Sequence, residues 1–432
     1  MSLDNSHSFD PIEFLKRAVA CPSNDSVEKM RELLVGTLQQ YDIDVHVDSA
    51  GNTIATRGIK RDSTTNDCAN SNNSESTRET HLVFNTHIDT VSPHIPLDQS
   101  RSSRSVSSNT DTHPRSQNAA TTSGDTVTDK KSRSAESMVA NSSTESANEP
   151  ARIHGRGACD AKGPLAAMLA AFLRVDVSSK ATITLAVTPD EEVLSTGAAA
   201  LDLDADMYIV GEPTGLDVCT AAKGRFQGTL TLTGTAAHAA APTSGVNAIA
   251  ALEDALKAIR TYDTDQPNAI HPQLGKPTVV PTTVDGGTAT NQVPATCRVV
   301  LDRRSVPPET ADTFQDKLTT AVNTAVSEDV GVDFSLTDRP TPFLEAFATN
   351  PDHKLVTTLI DATKQTGESA QQRCFTAATE ASYFSPAPVV VFGPGVLADD
   401  TGAVAHADRE YVTVSSVISA ARALTDATQE LI

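Results

Sequence analysis

The sequence predicts an α/β fold in which a largely parallel central sheet is flanked by helices and an inserted ferredoxin-like βαββαβ unit interrupts the chain. Apolar runs of strand length at 81–85, 181–187, 207–210 and 389–392 alternate with helical stretches such as 164–175 and 356–365. That alternation is the rhythm of a parallel sheet with crossover helices. Between about 218 and 340 the order changes to strand (226–233), helix (247–262), two strands (278–284 and 295–301), helix (311–326) and strand (332–336). This is the split βαβ order.

The elements follow from the N-terminus. Helix-like segments at 11–20 and 26–41 precede an alternating stretch at 43–47. From 61 to 80 and from 98 to 150 the chain turns to Ser, Thr, Asn and Asp with few large apolar side chains. Such segments bury too little surface to offset the entropy of ordering, so both read as low-complexity surface insertions. The 432 residues exceed the roughly 150 of an average domain. They divide into 1–217 and 341–432, two parts of one domain, and an inserted domain at 218–340.

Charge excludes whole classes of partner. Asp and Glu number 55 against 34 Lys and Arg, a net charge of −21. That balance repels phosphate backbones, so nucleic acid is not expected. No apolar run reaches the roughly 18 residues of a membrane span, and the N-terminal MSLDNSHSFDPIEF has no basic start or apolar core of a secretory signal. The reading is a cytoplasmic protein with no membrane partner. Arg outnumbers Lys, Trp is absent and aromatics are 4%; with the acidic surface this suggests a halophilic protein whose self-repulsion is screened by salt. Six scattered cysteines without a CxxC pair read as free thiols rather than a disulfide framework or zinc finger.

Chemistry-bearing residues follow the strand-like runs. HLVFNTHIDT places His87 and Asp89 at one strand end, ATITLAVTPDEE places Asp190, Glu191 and Glu192 at a second, and DMYIVGEPT places Glu212 at a third. Ligands of open α/β sheets sit beyond the carboxyl ends of strands, so these groups should converge. Asp160 in RGACDAKG opens a helix, and His406 in AVAHADREYV supplies a second imidazole. A single His at a strand end or a Glu pair at a helix start is ordinarily structural; five such placements together argue for a site. Imidazole with carboxylate oxygen suits zinc, cobalt or manganese.

At this point the sequence resembles the M20 metallopeptidases and deacylases. The matching blocks run in order from His87 to His406: THIDTV, GRGACDAKGPLAA, TPDEE, GEPT, GTAAHAAAP with GVNAI, GGTATNQVP, DRR, and FGPG with a late His. The resemblance implies a zinc-peptidase-like catalytic domain with a lid that also dimerises, and a cofactor of two divalent ions, Zn²⁺ first, with Co²⁺ or Mn²⁺ as alternatives. His87, Asp160 and Glu212 would hold one ion; Asp160, Glu192 and His406 would hold the other. Asp89 would orient His87, and Glu191 would act as general base on a water that the cations acidify. His238 matches an oxyanion donor reaching in from the partner subunit of a homodimer. Asn291 and Arg304 match lid positions that contact the substrate, often its carboxylate, with Arg303 a neighbouring alternative. Gly393 and Gly395 match a loop lining the pocket floor. Thr379 and Glu380 stand where the family usually has a small residue and an Asp.

The expected activity is hydrolysis of a small N-acyl amino acid. N-succinyl-LL-2,6-diaminopimelate desuccinylase of lysine biosynthesis comes first, then N-acetylornithine deacetylase of arginine biosynthesis, then a broad aminoacylase or dipeptidase.

Overall fold

The computed structural model describes residues 9–58, 79–98, 150–177, 180–264 and 270–432. Nearly all of the two Ser- and Thr-rich insertions lies outside these residues.

The chain runs α1 (Pro11–Ala20), α2 (Glu28–Gln40), β1 (Val45–Val47), β2 (Thr53–Gly58), β3 (Thr80–His87), β4 (Arg152–His154), α3 (Lys162–Arg174), β5 (Ala181–Thr188), a short α4 (Thr196–Ala199), β6 (Met207–Val210) and β7 (Val218–Ala222). Next come β8 (Gly224–Thr233), β9 (Ala237–His238), α5 (Ala248–Thr261), β10 (Thr278–Gly286), β11 (Gln292–Val293), β12 (Thr296–Ser305), α6 (Ala311–Ala325) and β13 (Gly331–Leu336). The remainder is β14 (Phe347–Ala348), α7 (Lys354–Gln365), β15 (Gln372–Phe375), β16 (Val389–Val391), β17 (Ala398–Asp399), β18 (Gly402–Ala403), β19 (Tyr411–Thr413) and α8 (Val414–Leu431).

A nine-stranded sheet has the order β1-β2-β5-β3-β6-β16-β7-β14, with β15 also on β7. Its centre, β5-β3-β6-β16, is parallel, while β1, β2 and β14 pair antiparallel at its flanks. Both β3 and β5 are buried along almost their whole length, as expected for strands covered on both faces. Helix α3 is buried from Lys162 to Phe172. Its Ala-rich sequence lets α3 and α8 share one core with β3 and β5. Asp10 caps α1 through the N–H groups of Ile12 and Glu13, with Pro11 in the first turn, a sequence signal that fixes the helix start.

The second sheet, β10-β12-β8-β13, is wholly antiparallel. With α5 and α6 it forms the βαββαβ lid around its own core, which includes Phe226, Leu230, Ile259, Phe314 and Phe334. Strand β8 alternates strictly. Phe226, Leu230 and Leu232 are buried among the lid's apolar residues, whereas Arg225 and Gln227 alternate to the opposite face. The expected lid limit of 218 is early in one respect: β7, at 218–222, pairs in the large sheet with β14, β15 and β16. The lid strand begins at Gly224.

Candidate metal centre

The ends of three parallel strands and two loops converge. His87 ends β3 and is buried. Its Nδ1 lies 3.1 Å from the Asp89 carbonyl and 3.3 Å from Asp89 Oδ1, so an N–H there donates to Asp89 and leaves the Nε2 lone pair facing Asp160 Oδ1, 3.2 Å away. On the other side of Asp160, His406 Nε2 lies 3.1 Å from Oδ2 and 3.0 Å from Glu192 Oε2. Glu212 follows β6 and accepts from Thr379 Oγ1 at 3.2 Å. Two groups of donor atoms result, His87 with Asp160 and Glu212, and Asp160 with Glu192 and His406, each within 4.8 Å of one another.

Asp89 orders more than the imidazole. Its Oδ1 accepts the N–H of Glu191 and its Oδ2 that of Glu192, both at 3.1 Å. One carboxylate therefore sets His87 and both glutamates. The backbone turns sharply at Asp190 and at His406, with φ of 55° and 63°. Strained backbone of this kind persists where the surroundings over-determine it. At Asp190 the side chain takes the N–H groups of Thr196 and Gly197 at the start of α4.

Electrostatics mark the cluster as one that needs positive charge. Burial, with the nearby carboxylates of Glu380, Asp160 and Glu192, pushes Glu191 well above the usual carboxylate range. Burial and the charges of Glu191 and Asp160 do the same to Glu212. Burial opposes ionisation of Asp160 too, but the imidazoles of His406 and His87 hold it below its ordinary value. Acceptors facing each other at about 3 Å are favourable only with a proton or a cation among them. The donor set, two imidazoles and carboxylate oxygens, fits a borderline divalent ion such as zinc.

These groups open on a cavity of about 630 Å³ between the two sheets, lined by Asp160, Glu191, Glu192, Glu212 and His406 on one side and by Arg225, Gln227 and the 337–344 segment on the other. The other expected residues lie elsewhere. His238 and Asn291 sit on the exposed β9–β11 ribbon, where His238 pairs with Gln292 and Asn291 accepts from the Ala239 N–H. Arg304 stands across from Arg225 on β12 and bonds Asp302 at 2.8 Å. Arg303 turns to the buried face and is held by Glu309 and Asp263, so it serves the lid interior. Gly393 and Gly395 lie behind the site: a Cβ on Gly393 would come within 2.6 Å of the Glu212 carbonyl, and one on Gly395, at φ 81°, within 2.7 Å of Cys159. They allow the two ligand-bearing loops to approach. Two buried groups gave no sequence signal, Arg156 and Glu410, which clamp the Asp160 loop.

Residues 124–430 match the model of peptidase family M20/M25/M40. The chain belongs to this family. As an M20 protein it is a metal-dependent amidohydrolase, the reading the site's donor set supports independently. The M20 chain is 30% identical to the acetylornithine deacetylase of Klebsiella pneumoniae (strain 342) over 270 residues, 60% of this chain and 67% of that protein. It is 31% identical to the acetylornithine deacetylase of Myxococcus xanthus over 285 residues, 62% and 69% of the two. Its fold is shared by the aminopeptidase PepT of Bacillus cereus, TM-score 0.67 at 17% identity over 97% of each chain. The YXEP protein of Bacillus subtilis, described as a dinuclear metal-binding M20 peptidase, aligns with TM-score 0.60 at 10% identity over 98% of each. Among the described residues, no helix is long and apolar enough to cross a membrane.

Proposed function

We propose that this M20 hydrolase removes the acyl group from a small N-acyl amino acid, with N-acetylornithine the first substrate to test. The observation that carries the reaction type is the convergence of His87, Asp160, Glu192, Glu212 and His406 in two donor groups sharing Asp160, with Glu191 beside them in the same cavity. The acetyl reading is supported by the two acetylornithine deacetylases at about 30% identity. Neither these relatives nor the cavity specifically supports the succinyl substrate expected first from the sequence.

In this proposal His87, Asp160 and Glu212 would hold one ion and Asp160, Glu192 and His406 the second, with Asp160 common to both groups. Zinc is the first choice, with cobalt or manganese compatible with the same donors. When bound, the ions would supply Lewis acidity at the acyl carbonyl and acidify water. Glu191, in the same cavity but outside both donor groups, takes the proton of the attacking water and returns it to the leaving amine. Asp89 fixes His87 and the two glutamate amides. His238 and Asn291, on the exposed ribbon and not among the residues lining this chain's cavity, act on the site of a partner subunit across a lid-mediated homodimer, and Arg304 contacts substrate from the lid. Support for that dimer is the exposed edge strand β10, where Val280 and Val284 are 49% and 63% exposed.

The test is amine release from N-acetylornithine and N-succinyl-diaminopimelate side by side, with zinc or cobalt supplied and Glu191→Ala as control. Turnover of the acetyl substrate that disappears in the control supports the proposal; preference for the succinyl substrate redirects the acyl assignment, and turnover of neither overturns it.

A further inference from the structure

One wall of the cavity carries a guanidinium that no acid answers. Arg339 lies on the segment that leaves β13 and lines the same cavity as Glu191, Glu192 and Glu212. Its Nη2 donates to Thr341 Oγ1 at 2.7 Å, and its guanidinium carbon sits 5.1 Å from the Phe343 ring centroid. Its Nε is buried with no hydrogen-bond partner. Arg156 has Glu410, Arg303 has Glu309 and Asp263, Arg373 has Asp217, and Arg409 has Asp399; Arg57, which donates to the Phe172 carbonyl, and Arg152, over the Tyr411 ring, form no ion pair among the described residues either, but neither lines this cavity. Among the described residues, no carboxylate forms an ion pair with Arg339. What sets Arg339 apart is its place: it lines the cavity of the glutamates, and although Asp338 lines the same wall the two form no ion pair, which leaves a guanidinium available to a ligand there.

Its placement is fixed from two sides. Thr341, which accepts from Arg339, donates its own hydroxyl to the Leu194 carbonyl at 2.8 Å, two residues beyond Glu192. Tyr383 donates to the Pro342 carbonyl at 2.8 Å. The 339–342 segment is thereby tied to the loop carrying the glutamates and to the large sheet's domain. A planar guanidinium held in this way binds a carboxylate with geometric specificity. Arg225, the other arginine in this wall, is more exposed and already lies 3.7 Å from Asp302.

We propose that Arg339 is a specificity-determining residue that binds a carboxylate of the substrate remote from the scissile amide, so that the enzyme selects anionic acyl amino acids over their neutral amides. This rests on the deacylase reading above. The carboxylate belongs either to the amino acid or to a dicarboxylic acyl group, and the experiment separates the two.

Wild type, Arg339→Met and Arg339→Lys are compared on N-acetylornithine, its carboxamide and N-succinylornithine, with calorimetric binding of the same compounds to a Glu191→Gln background whose turnover is slowed about 10²- to 10⁴-fold. A charged hydrogen bond lost in the cavity corresponds to about ten- to a hundredfold. The expected result is that Arg339→Met loses this much in kcat/KM and in affinity for N-acetylornithine, mostly through KM, while carboxamide values match wild type; the lysine variant recovers part. If only the succinyl compound suffers, the acyl carboxylate is the one bound. Equal losses on carboxylate and carboxamide, or no loss on any, overturn the proposal. Should no acyl amino acid turn over, the deacylase reading fails by itself, and the calorimetric comparison still decides Arg339: carboxylate-dependent binding that the methionine variant abolishes upholds the subsite, and its absence removes it.

Discussion

Arg156 Nη1 donates to Glu410 Oε2 at 2.8 Å, and both side chains are buried. The second oxygen of Glu410 accepts the N–H groups of Cys159 and Asp160 at 3.1 and 3.2 Å. Arg156 also donates to the carbonyls of Pro93, Ala407 and His406. This pair joins the loop bearing Asp160 to the loop bearing His406, segments separated by about 250 residues in the chain. Its geometry sets the distance between two donors of one metal group.

Replacing Glu410 by Ala leaves the Arg156 guanidinium buried without its partner, which costs about 3–5 kcal/mol. A folded Glu410→Gln protein is expected to bind metal about 10- to 100-fold more weakly at the Asp160, Glu192 and His406 group. Stepwise cobalt titration of metal-free protein, followed by absorption, checks this. Equal weakening at both groups would reduce the pair to a global stabiliser.

Glu191→Gln removes the proton acceptor while keeping the shape of the side chain. The expected outcome is a kcat lower by about 10²- to 10⁴-fold with metal content unchanged, since Glu191 lies outside both donor groups. Metal analysis beside steady-state kinetics decides the point, and loss of metal in the variant would reassign Glu191 as a ligand.

Much of this site was legible in the sequence because strand ends and apolar runs are local signals. His87 after HLVF and Glu212 after MYIV stand where buried parallel strands must stop. What the sequence withheld depends on distant partners. Arg156 and Glu410 look like surface charges until the fold sets them together. The sequence sets the inserted unit's start at 218, but β7, with Lys223 alone between it and β8, belongs to the large sheet; that is decided by its pairing with strands between residues 347 and 391. The alternation along β12, with Arg303 buried and Arg304 on the other face, is visible in sequence, but which face covers a core is not.

Glu380 predicts a pH dependence. Burial pushes its carboxyl up to about 8, from 4.5, although Thr188 donates to it. Its folded value lies above its unfolded value, so its contribution is fully present below about pH 4.5 and is lost as pH rises towards 8, because the unfolded chain releases a proton that the folded chain retains. Metal-free protein should therefore lose thermal stability between pH 5 and 8, and Glu380→Gln should flatten that slope. Parallel melting curves of the two proteins across this range make the comparison; an unchanged slope in the variant places the titration elsewhere.

The shared-site dimer yields a test that needs no structure of the complex. His238 is exposed on the β9–β11 ribbon and does not line its own chain's cavity, whereas Glu191 does. If the lid delivers His238 to a neighbour, His238→Ala and Glu191→Gln proteins are each nearly inactive alone, but a mixed dimer has one site with both residues intact. Unfolding the two together and refolding them should restore activity that neither recovers by itself. Charging the edge strand by Val284→Arg should abolish both the dimer, read by sedimentation, and the recovery, because an edge strand carrying a buried charge cannot pair. Full activity of a monomeric Val284→Arg protein would show that each chain completes its own site.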